Sequence, residues 1–159
     1  MDKLSEKSYG LTLETLLQKL NSGVTLLKVG YRIRYVSVNE GFCQMAGKME
    51  KEFLLPCSLK DIGIHPDYQQ EYEQILRKVA STGKEESHIH RMKTADKKSI
   101  WRRARVVRLS GEGVFPAVLL ELSRDITDLV EKDRMLKESN ERLRVAFHQT
   151  PHKIREVDV

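Results

Sequence analysis

The chain changes period at Asp125-Ile126-Thr127, and this limits its architecture more than any other feature of the sequence. Before it, Val114-Phe115-Pro116-Ala117-Val118-Leu119-Leu120-Glu121-Leu122 is nearly continuous apolar sequence, the pattern of a buried strand. After it, Ile126, Leu129, Leu136, Leu143 and Phe147 fall on the a and d places of a heptad, the pattern of a helix with an apolar seam. A strand that feeds straight into such a helix can pass a small movement of a sheet along a rod. This arrangement suits signalling and offers nothing for bond-making chemistry.

The whole chain is long enough, at 159 residues, for one domain with a core plus extensions. No apolar run approaches the roughly 20 residues that span a bilayer. Met1-Asp2-Lys3-Leu4-Ser5-Glu6 lacks the apolar core of a signal peptide. The expectation is a cytoplasmic protein without a membrane partner. Cys43 and Cys57, with no CxxC spacing and no secretory signal, are expected to be free thiols. The net charge of +5 is spread along the chain with acids interleaved, as in Glu131-Lys132-Asp133-Arg134, the pattern of a solvated helix face.

Leu13, Leu16, Leu17 and Leu20 recur at helical spacing, which predicts an N-terminal amphipathic helix ended by Asn21-Ser22-Gly23. Val24–Val29 and Arg32–Val38 read as a hairpin turning at Gly30-Tyr31. Asn39 can cap a short helix through Met45, closed by Gly47. A broken stretch follows: Glu50 to Leu54 as about one turn, an interruption at Pro56, and Ser58 to Ile62 as another turn. Pro66 can open a longer helix to Ser81, stopped at Gly83, with Tyr68, Tyr72, Ile75, Leu76 and Val79 as its apolar stripe. Glu86–Lys93 and Ser99–Leu109 read as strands joined across Ala95-Asp96-Lys97-Lys98, and Ser110-Gly111-Glu112-Gly113 turns into the apolar strand. The tail from Gln149 to Val157 weakly echoes Asn21 to Val29. It reads either as the start of a second copy of the module or as a polar tail.

This order, with the residues that punctuate it, resembles a PAS domain over Leu20 to Thr127. The resemblance rests on Asn39 and Phe42 with Gly47, on Asp61-Ile62 with His65-Pro66-Asp67, on Trp101, and on Asp125-Ile126-Thr127. The chain departs from the family at Lys97, where a glycine is usual, and at Pro56, where a glycine is common. The resemblance implies an α+β fold: a five-stranded antiparallel sheet with short helices on one face, flanked by amphipathic and coiled-coil helices. The expected organisation is an N-terminal helix over 1–20, a PAS domain over 21–127, a signalling helix over 128–147, and a linker or second module over 148–159. The implied function is that of a sensory module of a larger signalling protein. It would pass its signal through Asp125 and Thr127 to a covalently linked output domain.

Alternation places Trp101, Arg103, Arg105 and Val107 on one face of their strand and Arg102, Ala104, Val106 and Arg108 on the other. In the family the residue after this tryptophan points into the cavity. The resemblance therefore gives a ligand site of Phe42, Met45, His90, Met92, Arg102 and Ala104. An inward Arg102 can bind an anion in bidentate fashion or hold an internal ion pair.

Other chemistry finds little support. Cys57 in Leu55-Pro56-Cys57-Ser58-Leu59-Lys60 does not match the Gly-x-Asn-Cys-Arg-Phe-Leu-Gln setting of the family's flavin photosensors. Pro66 to Ser81 carries no histidine for a haem. His88 and His90 share a strand face but lack a third metal ligand. His148 does not fit a kinase phosphoacceptor box. No phosphate loop, nucleophile elbow or paired carboxylates point to an enzyme. The expectation is therefore no cofactor, no metal and no catalysis.

Arg91, Lys93, Lys97, Lys98, Arg102 and Arg103 are dense, but only Trp101 accompanies them, so a nucleic-acid-associated basic domain is the weaker alternative. Another alternative is a structural dimerisation module without a ligand. The leading expectation is a homodimer through Leu13, Leu16, Leu17, Leu20, Leu129, Leu136 and Leu143, with Asp133 and Asn140 at a places weakening the seam but fixing its register.

Overall fold

A computed structural model describes residues 22–47 and 58–149. The expected N-terminal helix with its four leucines, the stretch containing Pro56 and Cys57, and the tail beyond residue 149 lie outside the described residues.

Strands β1 (Gly23–Val29) and β2 (Ile33–Val38) form the expected hairpin, with a bulge between Leu26 and Leu27. Helix α1 (Glu40–Ala46) follows at once. Its cap Asn39 accepts from the Phe42 N–H at 2.9 Å and the Val24 N–H at 2.8 Å, so one side chain starts the helix and ties it to β1. Gly47 ends it in the left-handed conformation, φ 71°. Helix α2 (Pro66–Thr82) opens on proline, whose missing N–H costs nothing in a first turn, and stops at Gly83.

Strands β3 (Glu86–Lys93), β4 (Ser99–Arg108) and β5 (Ala117–Asp125) complete the sheet, and helix α3 (Thr127–Gln149) ends the described chain. All neighbouring strands pair antiparallel in the order β2-β1-β5-β4-β3. In the turn between β3 and β4, Lys97 takes φ 65°, so a lysine stands in a left-handed conformation that favours glycine.

The apolar run does not form strand along its whole length. β5 begins at Ala117, and Val114 and Phe115 are exposed. Pro116 has no N–H to give a ladder, which accounts for the later start. The strand is also buried on one face only: Ala117, Leu119, Glu121 and Ser123 are buried, while Val118, Leu120 and Leu122 are half-buried. On α2, Tyr72, Leu76 and Val79 are buried, whereas Tyr68 and Ile75 lie at the edge of the core. With Leu27, Tyr35, Phe42, Ile62, Ile64 and Met92 they form one cluster. Each fully buried large side chain in it contributes about 1.5–3 kcal/mol.

The chain divides after Ile126 into two compact units. Helix α3 belongs to the second. It exposes Leu129, Leu136, Leu143 and Phe147 and carries solvated pairs such as Arg134 with Glu131 and Glu138. Among the described residues no helix is long and apolar enough to cross a membrane.

Candidate functional site

Strand alternation turns Arg102, Ala104 and Val106 inward, as expected, and Arg102 is 0% exposed. A buried guanidinium requires a counter-charge. Glu121 on β5, also 0% exposed, provides it through an ion pair with Arg102 Nη2. Ser123 Oγ accepts from Arg102 Nε at 3.0 Å and from Nη2 at 2.7 Å. The remaining end, Nη1, lies 3.2 Å from His90 Nε2. The guanidinium carbon sits 5.3 Å from the Phe42 ring centre and 5.7 Å from that of Tyr72, within cation–π range. Burial is the largest influence and works against the charged guanidinium, but the Glu121 carboxylate, together with Tyr72 and Tyr35, outweighs it and raises the Arg102 pKa.

Glu121 is the hub. Besides Arg102 it accepts from Thr25 Oγ1 at 2.9 Å, from the Tyr35 hydroxyl at 3.4 Å and from the Tyr72 hydroxyl. Burial, and then the nearby carboxylate, push the Tyr72 phenol pKa well up, so Tyr72 stays a donor. No buried side-chain polar atom among the described residues lacks a partner.

The network continues outward through the two histidines. Arginine can only donate, so His90 Nε2 must accept and its proton sits on Nδ1. That proton faces His88 Nδ1 at 3.0 Å, which must then accept. The His88 proton is left on Nε2, 3.5 Å from the exposed Glu71 carboxylate. One assignment of protons satisfies the whole row. Burial first, and then the charge of Arg102, drive the His90 pKa down to about 2, so the ring is neutral.

Of the residues expected to line a ligand site, Phe42, His90 and Arg102 are in direct contact. Ala104 and Met92 are buried on the same inner face of the sheet, and Met45 packs against the core from α1. Sequence reasoning allowed Arg102 an internal partner but did not find Glu121, Ser123, Thr25, Tyr35 or Tyr72. The available signal was Glu121 as the lone acid in the apolar run from Val114 to Leu122, in phase with Leu119.

His88 and His90 share a face as expected, and both are buried. No group of three His, Cys, Asp or Glu among the described residues could hold a metal ion. Asp125 is the last residue of β5 and pairs across the ladder with Arg102, while Thr127 opens α3. Between them the Ile126 N–H donates to the Trp101 carbonyl at 2.8 Å. Burial of Arg102 also removes it from the surface cluster that suggested nucleic acid.

Comparison with known proteins agrees with the fold. A family model described as the PAS fold matches residues 35–114. No curated protein matches the sequence. Among solved structures, the PAS domain of a protein from Colwellia psychrerythraea superposes with a TM-score of 0.62 at 15% identity, covering 76% of this chain and 98% of that one. The PAS domain of an HTR-like protein from Haloarcula marismortui gives 0.60 at 20% identity, covering 76% and 99%. A sensory box histidine kinase/response regulator from Burkholderia thailandensis gives 0.60 at 18% identity, covering 83% and 97%. At these identities the likeness is one of fold.

Proposed function

Because the chain belongs to the PAS fold family, we propose that it is the sensory and regulatory module of a larger signal-transduction protein. In this reading residues 21–127 sense, residues 128–147 transmit, and the chain from 148 leads toward a linked output domain. The observation that carries the proposal is the double position of Arg102. Its side chain grips Glu121 and Ser123 on β5, and its backbone stands opposite Asp125, where that strand ends.

A small anion bound among Phe42, Met45, His90, Met92, Arg102 and Ala104 competes with Glu121 for the guanidinium. Release of Glu121 changes the load on β5 four residues before Asp125, and the helix that starts at Thr127 carries the change. The exposed Leu129, Leu136 and Leu143 provide the seam through which two copies read it together.

Native mass spectrometry of freshly purified protein tests the reading. A dimer mass with a small adduct that Arg102→Ala releases is the expected result. A monomer without an adduct at high micromolar protein overturns it.

A further inference from the structure

The first compact unit carries a second feature, away from the Arg102 network. A groove of about 1060 Å³ runs beside the turn between β1 and β2, bounded by the start of α2 and by Phe115-Pro116. Its volume is at the upper end of small-molecule sites, too large for a lone inorganic ion. Its lining is strongly basic. Lys28, Arg32, Arg34 and Lys60 all contribute, and none makes a side-chain hydrogen bond or ion pair among the described residues.

Lys28 and Arg34 stand directly opposite each other in the β1–β2 register. Like charges at facing positions of a ladder repel, so the strand pair is less stable for carrying them unless an anion lies nearby. The two acids of the lining do not meet this need. Asp61 is held by the Ser58 N–H and hydroxyl, each at 2.9 Å, and Glu73 pairs with Arg77 at 3.2 Å.

The groove also carries an aromatic pair. Tyr31 is 92% exposed and Phe115 is 63% exposed, with ring centres 5.2 Å apart and edge to face. The turn that presents Tyr31 is held in place, because Arg77 donates to the Gly30 carbonyl at 2.9 Å and the Tyr31 carbonyl at 3.2 Å. Two exposed rings beside unpaired cations form the combination that binds a flat heterocycle and its phosphates: stacking for the ring, charge-assisted hydrogen bonds for the oxygens.

We propose that this groove is a binding site for a nucleoside phosphate, with Lys28, Arg32, Arg34 and Lys60 taking the phosphates and Tyr31 with Phe115 taking the base. The cations alone would suit any polyanion. The ring pair restricts the class to anions that carry a flat ring. The site uses no residue of the Arg102 network, so it stands or falls independently of that network.

The test is calorimetric titration of the whole chain with ATP and with GTP, with adenosine, inorganic triphosphate and a single-stranded RNA oligonucleotide as separate arms. The expected result is saturable nucleotide binding that weakens with added salt and exceeds triphosphate by about tenfold or more. Arg32→Glu with Arg34→Glu, and separately Phe115→Ala, should each weaken it by about tenfold or more. All three positions are exposed, so an unchanged melting temperature shows that the variants remain folded. Absence of saturation up to about 1 mM overturns the proposal. So does triphosphate binding as tightly as nucleotide, which would leave the rings without a role. RNA binding that tightens with length while mononucleotides fail would assign the groove to single-stranded nucleic acid and also overturn it.

Discussion

Glu121→Gln is the substitution expected to damage the domain most for the smallest change of shape. It removes one charge and almost no volume from a carboxylate that accepts from Arg102, Thr25, Tyr35 and Tyr72. What remains is a guanidinium with no solvent exposure and no counter-charge. Breaking a buried pair from one side costs about 3–5 kcal/mol. The amide also turns an NH2 toward donors that had an acceptor, which adds to the loss. Against a domain stability of about 5–15 kcal/mol, this is a large fraction of the whole.

The assay is urea unfolding followed by far-UV circular dichroism and Trp101 fluorescence, with the midpoint and slope fitted separately. The melting temperature should fall by more than about 10 °C, since each kcal/mol is worth about 4–8 °C in a domain near 100 residues. The partner experiment is Arg102→Met with Glu121→Leu, which removes both charges. Its loss should be smaller than the sum of the two single losses by about 2 kcal/mol or more. A Glu121→Gln cost below about 1 kcal/mol, or singles that simply add, would refute the buried-pair account.

Three further outcomes follow from the same geometry. His90 is neutral with a pKa of about 2, whereas the unfolded chain takes up this proton near 6.5, so its contribution is complete above pH 6.5 and is lost as pH falls. Wild type should lose about 2 kcal/mol between pH 7 and pH 5 in unfolding experiments, and His90→Gln should flatten that slope. Tyr72→Phe keeps the ring between α2 and the sheet but removes a hydrogen bond to a carboxylate, so it should cost about 1.5–3 kcal/mol in the same urea assay. In sedimentation, wild type should be a dimer that Leu136→Asp with Leu143→Asp dissociates. A monomeric wild type, or a dimer indifferent to both changes, removes the coiled-coil seam.

What the sequence made legible follows from where each signal is written. Caps are local, so Asn39, Gly47, Pro66 and Gly83 announced the ends of α1 and α2. Strand alternation is local too, so Arg102 and Ala104 could be put on one face of β4, while the family resemblance supplied the choice of that face, with His90 and Met92, as the inward one. The partner of Arg102 could not be stated, because it depends on the register between β4 and β5, which no short segment encodes. Tyr72 read as one more apolar position of its helix. Whether its hydroxyl reaches Glu121 depends on how α2 is rotated on the sheet. The groove is the extreme case. Tyr31 and Phe115 are far apart in sequence and meet only because Val29 pairs with Ala117 across β1 and β5. The start of β5 was misplaced for a different reason: apolar content alone overrode the one residue, Pro116, that cannot join a ladder.

A module that only dimerised would need a packed core and nothing more. An apolar replacement for a buried ion pair is often at least as stable as the pair itself. Stability is therefore a weak reason for placing Arg102 and Glu121 where they are. A switch is a stronger one. Glu121 is an acceptor shared by four side chains from β1, β2, β4 and α2, so moving one carboxylate touches most of the elements around the core at once. In the sensory reading proposed above, the cost of an uncompensated charge makes intermediate positions unfavourable, which would favour two states over a gradual drift. A ligand or proton needs only a few kcal/mol of difference between those states to shift their populations. The element that carries Glu121 and Ser123 is the one that ends at Asp125. In that reading a change of partner at Arg102 would be felt first on the strand that leads into Thr127 and α3.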